Sequence, residues 1–251
     1  MIGKSVLLAG VLLLAGRQDM GPSLTGGSLG TAPTSPTLLG YTYVSNTGST
    51  ASTSVTTPAM NIGPNELLVA FCGAGQNSAA TVPVVANYNS TSFSIVTALA
   101  ESYYNAAQMS YLVLGASTPV TTSTFTCTPS SDSGYQSMIV LEFLSPTVTL
   151  NTSSTNSNSS NVSSYTSGSF TSTAAPTINI FCVNGHVGVA SAGDMAGSQS
   201  TLAAVDQPSL TDSAYAACEW NTSTTIVSSA TGAMTSSNGT SYTAILGAFS
   251  Y

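Results

Sequence analysis

The sequence predicts an all-β protein: a jelly-roll-like antiparallel β-sandwich made of two related halves, with an extended N-terminal arm. Short segments rich in Val, Ile, Thr, Tyr and Phe recur along the chain, and Gly, Pro, Asn and Ser turns separate them. No segment shows the sustained 3.6-residue apolar period of an amphipathic helix. A chain of 251 residues is long enough to form one all-β domain.

The predicted strands follow one another at a spacing that is typical of a sandwich or a barrel. Residues 136–143 (QSMIVLEF) include a run that is apolar on both faces, which indicates a central strand that is buried between sheets or is covered by the arm or a neighbouring subunit. The predicted strands are residues 41–45, 52–57, 66–73, 93–99, 107–114, 119–127, 135–144, 177–182, 185–191, 214–220, 223–228 and 241–250.

The composition divides the chain into an N-terminal region and a sandwich. Residues 1–40 are an apolar segment followed by a Gly/Ser/Pro linker, and residues 41–251 form the sandwich. Its halves, 41–145 and 176–251, are joined by a Ser/Thr/Asn-rich tract at 146–175.

A weak internal repeat predicts that the two halves are related. Three blocks occur in the same order in both halves, and two small stacked jelly rolls are the alternative architecture. Residues 60–75 align with 178–193, 107–111 with 216–220, and 138–143 with 244–249.

Positive charge is confined to the N-terminus. Lys4 and Arg17 are the only basic residues besides His186, and all nine acids follow Arg17. Charged residues make up 4% of the chain, against about 25% in an ordinary soluble protein. A body without Lys and Arg has no trypsin cleavage site and no cationic side chain that could neutralise phosphate groups. Nucleic acid and anionic membrane surfaces are therefore not expected as partners.

The first residues, MIGKSVLLAGVLLLAGR, have two interpretations. Lys4 precedes an apolar run at 5–16, which is the pattern of a secretory signal peptide. The same run is also suited to a retained arm that binds a neighbouring subunit, for example by adding a strand to a sheet edge. It is shorter than the ~20 residues of a membrane-spanning helix.

Four cysteines allow two disulfides with three connectivities, and the alternative is that they are small apolar core residues. No Cys-x-x-Cys or Cys/His cluster occurs, so neither a metal nor a cofactor is expected. The cysteines are Cys72, Cys127, Cys182 and Cys218.

Six Asn-x-Ser/Thr triplets are candidate glycosylation sites in an exported protein. A chain this rich in Asn, Ser and Thr also produces such triplets by chance. The six are Asn89, Asn151, Asn158, Asn161, Asn221 and Asn238.

Four segments carry a resemblance: NIGPNELLVAF, MSYLVL, GYQSMIVLEF and GTSYTAILGAF. Over residues 41–250 the chain resembles a loose group of β-sandwich proteins that occur among bacterial secreted proteins and phage virion proteins. The resemblance implies a jelly-roll-like sandwich with an exterior structural or adhesive role. It carries over no catalytic residues.

Residues with catalytic potential do not form a recognisable motif. His186 follows a turn, and the Gly-x-Ser-x-Gly match at 26–30 lies in a Gly/Ser/Pro tract rather than between a strand and a helix. None of Glu66, Glu101, Glu142 and Glu219 sits in an acid/base motif of the glycosidase type. The sequence therefore predicts that the protein is not an enzyme.

Three aromatic residues are candidate sugar contacts, because flat rings pack on sugar faces. They are Trp220, Tyr103 and Tyr104. Trp220 is alternatively the core tryptophan of its strand, since it aligns with Tyr111 in the internal repeat.

These observations predict a non-enzymatic, protease-resistant structural subunit on the exterior of an extracellular assembly, such as a virion capsid or decoration protein. One alternative is a secreted pilus or thread subunit that assembles through its N-terminal arm. The other is a carbohydrate-binding or adhesive module. The expected partners are copies of itself, other subunits of the assembly, or host-surface glycans, and the expected location is extracellular or on the virion surface.

Overall fold

The computed structural model describes residues 35–46, 54–75, 83–85, 91–100, 105–129, 135–145, 147–186, 196–197, 201–205 and 214–251. This part of the chain is all-β, with antiparallel sheets and no helix. The strands are β1 Thr37–Asn46, β2 Val55–Thr56, β3 Met60–Ile62, β4 Glu66–Gly75, β5 Pro83–Val85, β6 Ser94–Ala100, β7 Asn105–Leu114, β8 Thr121–Ser123, β9 Thr126–Pro129, β10 Tyr135–Leu144, β11 Thr149–Thr166, β12 Thr177–His186, β13 Ala196–Gly197, β14 Thr201–Val205, β15 Ala214–Ser223 and β16 Ala233–Ser250.

Two large sheets form the body. The first sheet has the order β1-β10-β4-β7-β6, and the second has the order β11-β16-β12-β15-β14, with β13 paired to β16. The two sheets stack through one core, in which residues such as Leu67 and Phe143 of the first sheet pack with Ile180 and Phe249 of the second. The predicted all-β character with antiparallel sheets is confirmed, and the stacking is that of a β-sandwich.

A second core covers the outer face of the first sheet. Leu68, Val140 and their neighbours pack there against Val55, Ile62 and Phe125, which belong to short strands and their connections. The short strands form two small sheets, β2-β9-β5 and β3-β8. Every residue of β4 is buried, as is every residue of 136–143. The prediction that 136–143 is covered on both faces is therefore confirmed.

A third core covers the outer face of the second sheet. Phe181 and Leu246 pack there against Tyr165, Phe170 and Met234. The covering residues come from the end of β11, from the segments between β11 and β12 and before β16, and from the start of β16. Phe170 forms an isolated bridge with Ala230. The body therefore has four layers. They are the first cover, formed by the short strands β2, β3, β5, β8 and β9, then the first sheet, the second sheet, and the second cover, formed by the segments around Phe170.

The Ser/Thr/Asn-rich tract at 146–175, predicted to join the halves, is mostly strand. Residues 149–166 form β11, which pairs with β16 and supplies Tyr165 to the third core. The Ser/Thr/Asn-rich composition of β11 is typical of a loop, but hydrogen bonding to β16 holds the segment as a strand. The predicted linker is likewise too long at its end, because β1 begins at Thr37 and not after residue 40. Residues 1–34 lie outside the described residues.

The two large sheets repeat one pattern of strand order and register. In each, the first strand lies at an edge beside the last strand, so β1 matches β11, β10 matches β16, and β4 matches β12. A register shift lies between Leu38 and Gly40 of β1 and between Leu150 and Thr152 of β11. The sheets stack in reverse order, so that β1 contacts β14 and β6 contacts β11.

This strand order agrees with two of the three aligned blocks. Residues 107–111 and 216–220 lie on β7 and β15, and residues 138–143 and 244–249 lie on β10 and β16. The remaining block is displaced, because the equivalence of β4 and β12 matches Glu66 with Thr177 instead of Met60 with Ile178.

Asn184 connects the two sheets within the interior. Its Nδ2 donates to the carbonyl oxygens of Ala74 and Ala106, each at 3.3 Å, and its Oδ1 accepts from Ser137 Oγ at 3.3 Å. A Cβ on Gly73 would collide with the Asn184 amide. Gly73 therefore provides the space into which the amide of the opposite sheet inserts.

We expect Gly73→Ala and Asn184→Ala each to lower the free energy of unfolding by about 1–3 kcal/mol, through overpacking and through lost buried hydrogen bonds respectively. In the double variant the collision with the Asn184 amide is absent and only the contact with Ser137 Oγ, 2.8 Å from the added Cβ, remains. Its loss should therefore be smaller than the sum of the two by about 1 kcal/mol or more. Denaturant unfolding measures all three values. Gly115→Ala is the matched control, because a Cβ there meets nothing within 4 Å. Strict additivity would refute the proposed fit.

Candidate functional site

One end of the sandwich combines an apolar groove, a pair of buried carboxyl groups and the first described residue of the chain. We call it the Tyr251 end. The register places the starts of β4 and β12 at this end together with the ends of β7, β10, β15 and β16. Close to this end, two edge-to-face aromatic contacts join the sheets. The ring centroids of Tyr111 and Phe249 are 5.3 Å apart, and those of Phe143 and Trp220 are 5.8 Å apart.

The groove at this end has a volume of about 450 Å³. Val113, Val148 and Tyr251 give it apolar walls that continue the central core, and no charged side chain lines it. The remaining lining residues are Thr147, Thr149 and Ser250. The groove therefore suits aliphatic side chains better than a charged or sugar ligand.

Tyr251 also contacts the point where the described chain begins. Its hydroxyl donates to Ser35 Oγ at 3.4 Å, and its backbone N–H donates to the carbonyl oxygen of Pro176 at 3.3 Å. Ser35, two residues before β1, therefore lies beside a wall of the groove.

Glu66 and Glu142 meet on the outer face of the first sheet at this end. They are 7% and 6% exposed, and their carboxyl groups are hydrogen-bonded to each other. The Gly63 N–H also donates to Glu66 Oε2 at 2.7 Å. Burial raises the pKa of Glu66, and the hydrogen bonds with Gly63 and Glu142 partly offset this increase.

A hydrogen bond between two carboxyl groups requires a proton on one of them. Because burial raises the pKa of Glu66, we expect the pair to hold one proton between them, and loss of that proton would leave two buried negative charges in contact. The arrangement resembles a catalytic carboxyl dyad in its chemistry, and Glu66 also holds the backbone of Gly63 through the N–H that it accepts. The sequence offered no signal for the pair, because its formation depends on the register of β10 against β4.

The four cysteines form two disulfides, which settles the connectivity that the sequence leaves open. Cys72 of β4 bonds to Cys127 of β9 with a Cα–Cα distance of 5.9 Å, and so ties the first cover to the first sheet. Cys182 of β12 bonds to Cys218 of β15 with a Cα–Cα distance of 4.1 Å, within the central core. All four side chains are fully buried.

The candidate glycosylation sites differ in the availability of their amide groups. Asn151 Nδ2 donates to Ser250 Oγ at 2.7 Å, so a glycan there would have to displace an internal hydrogen bond. Asn158 and Asn221 accept hydrogen bonds through Oδ1. A glycan on Nδ2 would leave these hydrogen bonds in place. Asn161 is exposed. Asn89 and the side chain of Asn238 lie outside the described part.

Trp220 does not present a sugar-binding face. Its side chain is 7% exposed and packs edge-to-face on Phe143 in the central core, which supports its alternative assignment as the core tryptophan of its strand. The proposed sugar contact at Trp220 is therefore wrong. Tyr103 and Tyr104 lie outside the described residues.

The remaining candidates do not gather into a reaction centre in the described ranges. His186 ends β12 instead of beginning a strand, and Glu219 is buried on β15. No three His, Cys, Asp or Glu side chains of the described residues come together as a metal site. Within the same residues, no helix is long and apolar enough to cross a membrane.

Comparison with known proteins gives no relative. No protein family matches the chain, and neither a curated protein nor a solved structure is significantly similar to it.

We expect both disulfides to resist a phosphine reductant in the native protein, because their sulfur atoms are buried, and to open only with denaturant. Replacing the first pair by Cys72→Ala with Cys127→Ala should cost about 4 kcal/mol, from a loop of 55 residues. Intact-mass measurement with thiol labelling and denaturant unfolding test these two statements. Faster amide exchange in this variant, confined to residues 126–128 of β9, would show that the Cys72–Cys127 bond holds the first cover on the first sheet. Rapid labelling of native protein would contradict the buried placement.

The carboxyl pair predicts greater stability in acid. Because the pKa of Glu66 is raised in the folded protein, the stability due to the pair is fully present below the unfolded pKa. It is lost as the pH rises through the folded pKa. Glu66→Gln keeps an acceptor for Gly63 and a donor for Glu142. Its Tm should match that of the wild type in acid and exceed it at neutral pH. A constant difference in Tm across this pH range would contradict the shared proton.

Proposed function

We propose that the protein is a non-enzymatic structural subunit on the exterior of an extracellular assembly, as in a virion capsid or decoration protein, and that it assembles through its N-terminal arm. The observation that carries this proposal is a rigid four-layer body without a lysine or arginine after Arg17. Copies of such a body approach one another without the dense mixed charge that keeps most soluble proteins apart.

The outermost strands support association between copies. Natural sheets usually guard their edges with charged residues or Pro. None of the outer strands β1, β6, β11 and β14 contains either. Register shifts interrupt β1, β6 and β11 instead, and they work against pairing along a whole edge. This combination favours local contacts made by an arm over continuous edge-to-edge sheets.

The body is also suited to an exposed location. Two buried disulfides are typical of proteins in oxidising compartments. Arg17 is the last trypsin site, so proteases of that class find no further target. The surface is rich in Ser, Thr and Asn along β11, whose side chains are hydrated without charge.

We also propose that the sandwich arose from two related halves. The support is the shared strand order, the matching positions of the register shifts in β1 and β11, and the agreement of two aligned sequence blocks with equivalent strands. The reversed stacking brings equivalent strands together as in a twofold dimer. The jelly-roll-like winding stays a prediction.

A secreted filament subunit is the second candidate, and the signal-like pattern of residues 1–16 favours it. The intact mass of protein from its native source separates the two candidates. A chain that begins at Met1 retains the arm. A chain that lacks residues 1–16 keeps only the linker part of the arm for assembly.

Trypsin provides a direct test of the arm, because Lys4 and Arg17 are its only sites in the chain. Brief digestion of the full chain should remove residues 1–17 and leave 18–251 intact. We expect the trimmed body to keep its circular dichroism and Tm but to lose assembly in sedimentation and light-scattering measurements.

Two controls accompany the digestion. Protein mixed with inhibitor-blocked trypsin should assemble normally. The Lys4→Gln, Arg17→Gln variant, which trypsin cannot cut, should assemble to the same extent with and without active trypsin. Assembly of the trimmed body at the same concentration as the untrimmed protein would refute the arm hypothesis.

A further inference from the structure

We propose that the groove beside Tyr251 is the docking site for the apolar segment 5–16 of a neighbouring copy. This inference rests on the proposed function, and it names the acceptor for the arm. It makes the Tyr251 end an assembly interface, with Val113, Val148 and Tyr251 as the walls that receive aliphatic side chains.

The chemistry of the groove defines what it accepts. The groove, about 450 Å³ in volume, is open to solvent, so it can receive a few side chains of a segment that lies across it. Its apolar walls extend the central core to the surface, so an aliphatic side chain placed there would complete that core. No charged side chain lines it that would select an ionic partner.

The segment 5–16 is the occupant that matches this chemistry. It reads SVLLAGVLLLAG, the longest aliphatic run in the chain outside the described residues. Its small residues Ala9 and Gly10 interrupt the leucines and permit close approach to a wall. Lys4 and Arg17 flank the run, while every acid except Asp19 lies in the body, so the charges of segment and body are complementary.

The position of Ser35 indicates how the segment is delivered. Ser35 contacts Tyr251 and therefore lies beside the groove of its own molecule. Residues 18–34 separate it from the apolar run, and at about 3.3 Å per residue they span roughly 55 Å when extended. Pro22 and Pro33 favour extended backbone in this linker. That reach is unnecessary for the adjacent groove and is suited to a groove on another copy.

The register shifts in β1, β6 and β11, three of the four outer strands, favour this mode over simple strand addition. A donated strand requires an uninterrupted edge of backbone N–H and C=O groups. The shift between Ile95 and Thr97 interrupts the edge strand β6, and Ile95 there is 60% exposed. Side-chain anchors in a groove do not depend on a continuous edge.

Photo-crosslinking of the full chain tests the inference. One variant carries benzoylphenylalanine in place of Val113, within the groove. The matched control carries it in place of Val120, which is 75% exposed and does not line the groove. Assemblies are formed from equal amounts of isotopically light and heavy protein and are then irradiated. Trypsin in denaturant next releases the peptide 5–17 unless it is crosslinked to a body.

We expect the Val113 position to retain the 5–17 peptide, with light peptides on heavy bodies and the reverse, and the Val120 position to retain little. Val113→Ser should also raise the concentration needed for assembly about tenfold, while Val120→Ser leaves it unchanged. Equal crosslinking at both positions would overturn the inference. Crosslinks found only between light peptides and light bodies, or between heavy peptides and heavy bodies, would also overturn it, because they indicate that each segment docks on its own body.

The outcomes separate this inference from the proposed function. If assembly requires residues 1–17 but Val113 gives no crosslink to them, the arm binds elsewhere and only the groove assignment fails. If the trypsin-trimmed body assembles normally, the proposed arm fails and the groove assignment fails with it.

Discussion

The central strands of both large sheets are apolar on both faces, so each sheet must be covered on both sides to be stable in water. Leu67 and Leu68 are neighbours on β4 and belong to different cores, one between the sheets and one beneath the first cover. Stacking the sheets covers one face of each. The short strands and the segments around Phe170 cover the other faces. The four layers, the close fit at Gly73 and the disulfide to the first cover all follow from this requirement.

The same requirement explains what the sequence predicts well. The all-β class and the burial of 136–143 follow from local patterns, because a strand apolar on both faces has few alternatives. The tract 146–175 has no such pattern, and its strand exists only because β16 pairs with it. Val113, Val148 and Tyr251 come from separate parts of the chain, so no local signal predicts the groove. The pairing of Glu66 with Glu142 likewise depends on strand register.

The absence of Lys and Arg from residues 18–251 determines how buried polar groups are satisfied. A buried carboxylate usually requires a cation or several hydrogen-bond donors. Glu66 instead has a backbone N–H and a proton shared with Glu142. Between the sheets, amides and hydroxyls take the place of ion pairs, as for Asn184 with Ser137 and for Asn105, whose Nδ2 donates to Ser241 Oγ at 2.9 Å. Such contacts do not weaken as salt increases.

The proposed arm and the proposed relation between the halves together constrain assembly. The reversed stacking brings β1 against β14 and β6 against β11, whereas the proposed arm precedes only β1 in the sequence. In the second half, the equivalent position before β11 holds Val148, which lines the groove. Arm and acceptor are thus different surfaces, and their contact is heterologous unless two copies exchange arms. Because the linker is long, it would not fix the angle between two copies. The packing of the bodies would then decide whether the copies form a closed shell or an open filament.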